Sequence, residues 1–375
     1  MKKVLLLLLA CSVILVLSFF LIPSLKAKIS RKFNEMRLEE VNITVHNLKG
    51  LLHERAELNK IPFEELPFTG AKNNYDLTIE FTGKSPFKAK AKLQGIYNDH
   101  WKYDRYSFKV KSSEVASIYG DNTFSLMHPS CRDILGDWIA SKIEQKRGLN
   151  SLRRHFIKGY VNDEYKGVYL YEERASKSFF KSRGLKEGVI FKVYLDDLND
   201  LNPRYKWYTK NSDSTLVKNL IRRFLADSTK GFTPFNIELM SEHYAITDLV
   251  QGHHQLIDFN SFFYYQKETG KIALIGREWN SLQSLNKVPI LSVYKVKEMN
   301  NIHTLILQNN ELRAAYSSKL KIMSKFDLEL FFSEIEEEIS MLEKVLWYDL
   351  GGNSFDRSYL YKNQEFLKDL LRDDK

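Results

Sequence analysis

The chain has 375 residues, 43% hydrophobic and 13% aromatic, which is enough apolar material for a sizeable core. Its formal net charge is +9 with a pI near 9.1, but the basic residues are interspersed with acids. This excludes a polybasic block; no nucleic-acid motif is present, so no nucleic-acid partner is expected, and Cys11 and Cys131 alone exclude a disulfide framework.

Residues 4–22 are an uncharged apolar run behind Lys2 and Lys3. At about 1.5 Å per residue, ~19 residues nearly span a hydrocarbon core of roughly 30 Å. The run is long for a secretory signal, and Ala27 lacks a small partner at Leu25. It therefore reads as a transmembrane signal-anchor within residues 1–25 rather than a cleaved signal. Leu8-Leu9-Ala10-Cys11 is similar to a lipoprotein cleavage box, but the apolar run continues past Cys11. Lys26, Lys28, Arg31 and Lys32 argue for a cytoplasmic body, while the short Lys-Lys leader is an export pattern. The expectation adopted is a single N-terminal span in the cytoplasmic membrane with an extracytoplasmic body.

Within residues 26–70, Leu38, Val41, Val45, Leu48, Leu51 and Leu52 recur at helical spacing, predicting a juxtamembrane helix over 28–60. Residues 71–195 read as a strand-rich lobe: YDLTIEF, KAKAKLQG and RYSFKVK alternate with period two, and a short strand follows at 122–127. Ser130 is the expected N-cap of a helix carrying Ile134, Leu135, Trp138, Ile139 and Ile143 and ending at Gly148. A hairpin then turns at Asn162-Asp163, and GVIFKVY adds another strand. Polar, turn-rich residues 195–215 read as a linker. The rest of 196–375 reads as a helix-rich lobe, with helices over 215–226, 237–256, 308–323 and 326–348 and a strand pair in SFFYYQ and KIALIG.

No phosphate-loop, dinucleotide-binding, nucleophile-elbow, HExxH or CxxC signature is present. However, KLQGIYNDHW, YSFKVK, FSLMHPSCRD, GYVNDEYKGVYLYEE and KEGVIFKV occur in an order and spacing that resembles the CotH-like family, bacterial relatives of spore-coat protein H. The likeness covers about residues 75–195, and 244–280 more weakly. It implies an α+β, two-lobed atypical protein-kinase-like fold behind the transmembrane helix. It also implies ATP- and Mg²⁺- or Mn²⁺-dependent phosphoryl transfer to a protein or cell-envelope polymer.

Under that resemblance Lys109 would hold phosphate, with Lys111 on the same strand face and Arg132 at the helix start. Glu172 and Glu173 alternate, so one of them would enter the cleft; Glu173 is taken for that place. Asp258 would orient the acceptor hydroxyl, and Asn260 with Glu278 would carry the metal. Glu278 and Asn280 stand where the family has aspartates, and Arg277 beside them disfavours a cation. An alternative is therefore a catalytically inactive relative acting as a membrane-anchored assembly or binding factor. The adjacent His253 and His254 point about 100° apart on a helix, which argues against joint chelation of one ion.

Overall fold

The computed structural model describes residues 37–62, 72–95, 97–101, 103–113, 119–197, 202–226, 232–257, 260–279, 301–350 and 355–373, with the isolated positions 32 and 65.

Alternation of apolar and polar residues along the first strands produces a barrel. Strands β1 (Glu40–Val45), β2 (Tyr75–Phe81), β3 (Phe87–Leu93), β4 (Phe108–Lys111), β5 (Thr123–Met127), β6 (Arg154–Val161) and β7 (Glu164–Glu173) close in the order β1-β2-β3-β4-β5-β7-β6. Neighbours are antiparallel except β1 and β6, whose parallel pairing seals the ring. Val41, Ile43, Leu77, Ile79, Leu93, Phe108, Val110, Phe124, Ile157 and Tyr171 fill its interior. The alternate positions, among them Lys90, Lys92, Lys109 and Lys111, stay outside.

The expected kinase-like pair of lobes is thereby corrected: the strand-rich part is a closed seven-stranded barrel. The strand that closes it lies inside the stretch predicted to be helical. Val41 and Val45 satisfy both a four-residue spacing and a period-two pattern that includes Ile43. Pairing with β2 and β6 on both edges selects the strand. Helix α1 (Leu48–Lys60) begins only after Asn47, whose side chain accepts from the Gly50 N–H. The expected membrane-anchored localisation is corrected as well. Among the described residues no helix is long and apolar enough to cross a membrane, and residues 4–22 lie outside the described residues.

The second sheet has the order β11-β10-β8-β9, built from β8 (Ile190–Tyr194), β9 (Arg204–Trp207), β10 (Phe262–Gln266) and β11 (Lys271–Ile275). Strand β9 occupies the stretch expected to be a linker, because Tyr205 and Trp207 pair with Val193 and Phe191. One sheet face packs Ile190, Phe262, Tyr264 and Ile275 against Phe179 and Phe180 of α3 (Lys177–Ser182). The other, with Phe191, Phe263 and Leu274, joins a large core. That core takes in α2 (Gly136–Lys146), α4 (Asp213–Ala226), α5 (Ile237–Val250), α6 (Ile302–Gln308), α7 (Asn310–Met323), α8 (Leu328–Asp349) and α9 (Ser358–Asp373). It also takes in Met127, Phe156, Val168 and Leu170 on the outside of the barrel, so barrel and helices share one apolar interior.

The helix expected from Ser130 starts later. Pro129–Arg132 make a single 3-10 turn, with the His128 ring accepting from the Ser130 N–H at 3.2 Å. Asp133 (φ 48°) and Ile134 (φ 59°) are then left-handed, a costly conformation for a β-branched residue. That kink separates Arg132 from α2 and leaves it inside a charge network.

A buried ion pair clamps α8 to the barrel. Arg105 and Asp349 meet at 2.7 Å with side chains 9% and 6% exposed, and Asp349 also accepts the Val168 N–H at 2.9 Å. Removing one partner of such a pair strands the other. Asp349→Ala is expected to cost about 3–5 kcal/mol in urea unfolding. A loss below about 1 kcal/mol would show that the clamp contributes little.

Candidate anion-binding site

Strand register lines up a row of polar side chains on the outer barrel wall. Lys92 is the cross-strand partner of Lys109, Lys109 of Ser125, Ser125 of Glu172, and Glu172 of Arg154. The second sheet meets this row with its own basic pair, Lys192 opposite Lys206. Two aromatic rings anchor these cations: Lys192 Nζ lies 4.2 Å and Arg277 Cζ 4.4 Å from the Phe262 centroid. Tyr208, whose ring is 4.5 Å from that of Phe262, has Lys192 and Lys206 within 6 Å. Cation–π contact of this kind holds a positive group without neutralising it.

A ring of ion pairs joins the two walls. Asp137 meets Arg132 (3.5 Å), Arg132 meets Glu278 (3.2 Å), and Glu278 contacts Arg277. Arg277 meets Glu172 (3.8 Å), Glu172 meets Arg154 (3.0 Å), and Arg154 returns to Asp137 (3.8 Å). Three carboxylates alternate with three guanidiniums, so the ring is self-neutral. Glu278 reaches it from a left-handed backbone conformation, φ 52°.

Arg174, Lys109 and Lys192 lie beside this ring. Arg174 rests on neutral partners, Ser125 Oγ at 3.1 Å and Gln94 Oε1 at 3.4 Å. Among the described residues no carboxylate forms an ion pair with Lys109, and burial together with Arg174, Lys92, Lys206 and Arg277 pushes its ammonium down to about 7. Burial, Arg277, Lys206 and Arg174 push Lys192 down to about 6 against the pull of Glu278. Burial and Arg277 bring even Arg174 to about 10. The acids show the converse: burial raises Glu278, but Arg277, Arg132, Lys192 and His254 hold it well below the usual carboxylate range. Half-buried positive charge in excess of its acids is the electrostatic form of an anion site.

A second basic hollow, of about 420 Å³, is different in kind. Its Arg153 and Arg183 are already paired with Asp121 and Glu173, and its Arg154 with Glu172.

The structure brings Lys109, Arg132 and Glu278 together in the cluster. Lys111 is exposed, one row away, opposite Lys90 and Thr123. Glu173 points to the other side, held by Arg153 and Arg183; Glu172 is the acid in the cluster. Asn260 is buried, and its amide donates to the His254 carbonyl at 3.0 Å. His253 pairs with Asp248 at 3.0 Å, whereas His254 feels Glu278 and Arg132. Asp258 and Asn280 lie outside the described residues.

As arranged, Asn260 and Glu278 do not fit a Mg²⁺ or Mn²⁺ site. Arg132 and Arg277 share Glu278 Oε1 and their charges oppose a cation there, while Asn260, whose NH2 donates to a backbone carbonyl, offers only a neutral Oδ1.

Lys192 and Arg174 were not singled out from sequence. A lysine centred in the apolar run GVIFKVY was the available signal, since a strand position with buried neighbours rarely takes an ammonium. No protein-family model matches the chain, and no curated protein sequence matches it.

An anion favours the charged form of both lysines, so binding draws protons onto them above about pH 6–7. Affinity for sulfate, whose own charge is constant in this range, is expected to fall several-fold from pH 6 to pH 8. Calorimetry in buffers of different ionisation heat should register proton uptake at pH 8; none in wild type would exclude these lysines as contacts. In the ligand-free protein the sign is opposite. An unfolded lysine binds its proton up to about pH 10, so the fold gains stability as pH rises from about 6 towards 10.

Proposed function

We propose that this protein binds the phosphate groups of a nucleotide in the cluster formed by Lys109, Arg174 and Lys192, with Lys92 and Lys206 at its edge. The CotH-like resemblance names the ligand as ATP. The observation that supports the reading is the concentration of positive charge: beside the self-neutral arginine–carboxylate ring, Lys109 and Lys192 both feel Arg174, Lys206 and Arg277. Phosphate oxygens are the natural complement, because ammonium and guanidinium groups bind them by charge-assisted hydrogen bonds. Phosphoryl transfer to a protein or envelope polymer is the activity that the resemblance attaches to such a site, with Asp258 orienting the acceptor.

A second reading is a binding or assembly factor without catalysis. It is favoured by one contact set, the engagement of Glu278 by Arg132 and Arg277, which removes the best candidate metal ligand from service.

Calorimetric titration with ATP, with and without Mg²⁺, tests the binding. Micromolar affinity, about 8 kcal/mol, should be retained in chelator and fall at least tenfold in Lys192→Ala and Arg174→Ala. Undetectable binding to the folded protein under all these conditions would refute the site. Asp258→Asn then separates the readings: phosphoryl transfer that the substitution abolishes while ATP binding persists identifies an enzyme, and ATP binding without transfer in the wild type identifies a factor.

A further inference from the structure

Beside the ion-pair ring, two short turns bring soft and hard ligand atoms together. The 3-10 turns Asn98–His100 and Pro129–Arg132 pack on each other, and the Cys131 thiol donates to the Asp99 carbonyl at 3.3 Å. An Asp99 carboxylate oxygen, an imidazole nitrogen of His100 and Cys131 Sγ all lie within 4.8 Å of one another. His100 is 7% and Cys131 6% exposed, and His100 Nδ1 is buried with no hydrogen-bond partner. The other edge of the ring is seated on Gly95 (φ 84°), where a Cβ would come within 1.9 Å of it. The imidazole is therefore fixed in place while one of its strongest polar atoms is unspent, a cost that a packed core normally avoids.

We propose that Asp99, His100 and Cys131 form a binding site for a transition-metal ion of the zinc class. A tetrahedral zinc centre with bonds of roughly 2.0–2.3 Å sets its ligand atoms roughly 3.5 Å apart, so the triad closes on an ion by side-chain rotation alone. Thiolate and imidazole select zinc-like ions over magnesium. Arg132 and Lys72 face His100 and oppose a cation there, while Glu278 favours one. Binding releases the thiol proton, and carboxylate plus thiolate then bring a divalent ion to neutrality. Three protein ligands leave the fourth position to water. The site is separate from the Asn260 and Glu278 pair and does not depend on ATP binding.

Titration of the full chain in a Cys11→Ser background with Co²⁺ tests this. One equivalent is expected, with a tetrahedral visible spectrum and a thiolate-to-cobalt band in the near ultraviolet that Zn²⁺ abolishes. Cys131→Ser should remove the band and weaken binding by about 100-fold or more; Asp99→Asn should weaken binding and keep the band. X-ray absorption of the zinc-loaded Cys11→Ser protein needs no further variant: one sulfur neighbour at about 2.3 Å beside nitrogen or oxygen near 2.0 Å is expected. No binding by the folded protein, an all-oxygen shell, or a band that survives Cys131→Ser would overturn the proposal.

Discussion

The closed ring Asp137–Arg132–Glu278–Arg277–Glu172–Arg154 is the constraint on which the candidate site depends. Its members come from α2 and the turn before it, from adjacent barrel strands, and from the segment after β11. Each carboxylate is shared by two guanidiniums, which is how charges this deeply buried avoid the penalty of isolation. Glu172 shows the balance: burial raises its carboxyl, yet Arg154, Arg132 and Arg277 hold it lower than usual. Such a ring is less a source of net stability than a device for register. It admits one arrangement of barrel against sheet.

That arrangement sets the chemistry beside it. In this cluster arginines hold the carboxylates in fixed geometry, and Lys109 and Lys192 add positive charge beside them. Lys109 and Lys192 come from different sheets and share Arg174, Lys206 and Arg277 as electrostatic neighbours. Phe262 and Tyr208 supply a floor that tolerates ammonium groups without cancelling them. Elsewhere lysines do take carboxylates, as Lys158 takes Glu40 and Lys319 takes Glu242; in this cluster the carboxylates go to arginines.

Much of the local structure was legible in the chain. Period-two patterns in YDLTIEF, KAKAKL and FKVK mark true strands, and Lys109 and Arg132, which the resemblance singles out, lie among the charged residues described above. What could not be read was closure. Residues 40–45 carry both helical and strand periodicity, and only the free edges of β2 and β6 decide between them. The same limit applied to the acids: alternation says that Glu172 and Glu173 face opposite ways, but not which way is inward. Ile134 gave no hint of its left-handed backbone, since a β-branched residue normally avoids it. Lys192 was visible as an oddity within an apolar strand; its neighbours Lys206 and Arg277 were not, since they arrive from elsewhere in the chain.

The parallel seam between β1 and β6 has a consequence for how the protein is made. During synthesis β1 emerges first, yet one of its two pairing partners, residues 158–161, follows more than a hundred residues later. Until then the nascent sheet has an open seam with unpaired backbone groups on both sides, the condition in which strands capture the wrong neighbour. Lysines alternate along the outer face of β3 and β4, a charge pattern that disfavours edge-to-edge capture while the barrel is unfinished.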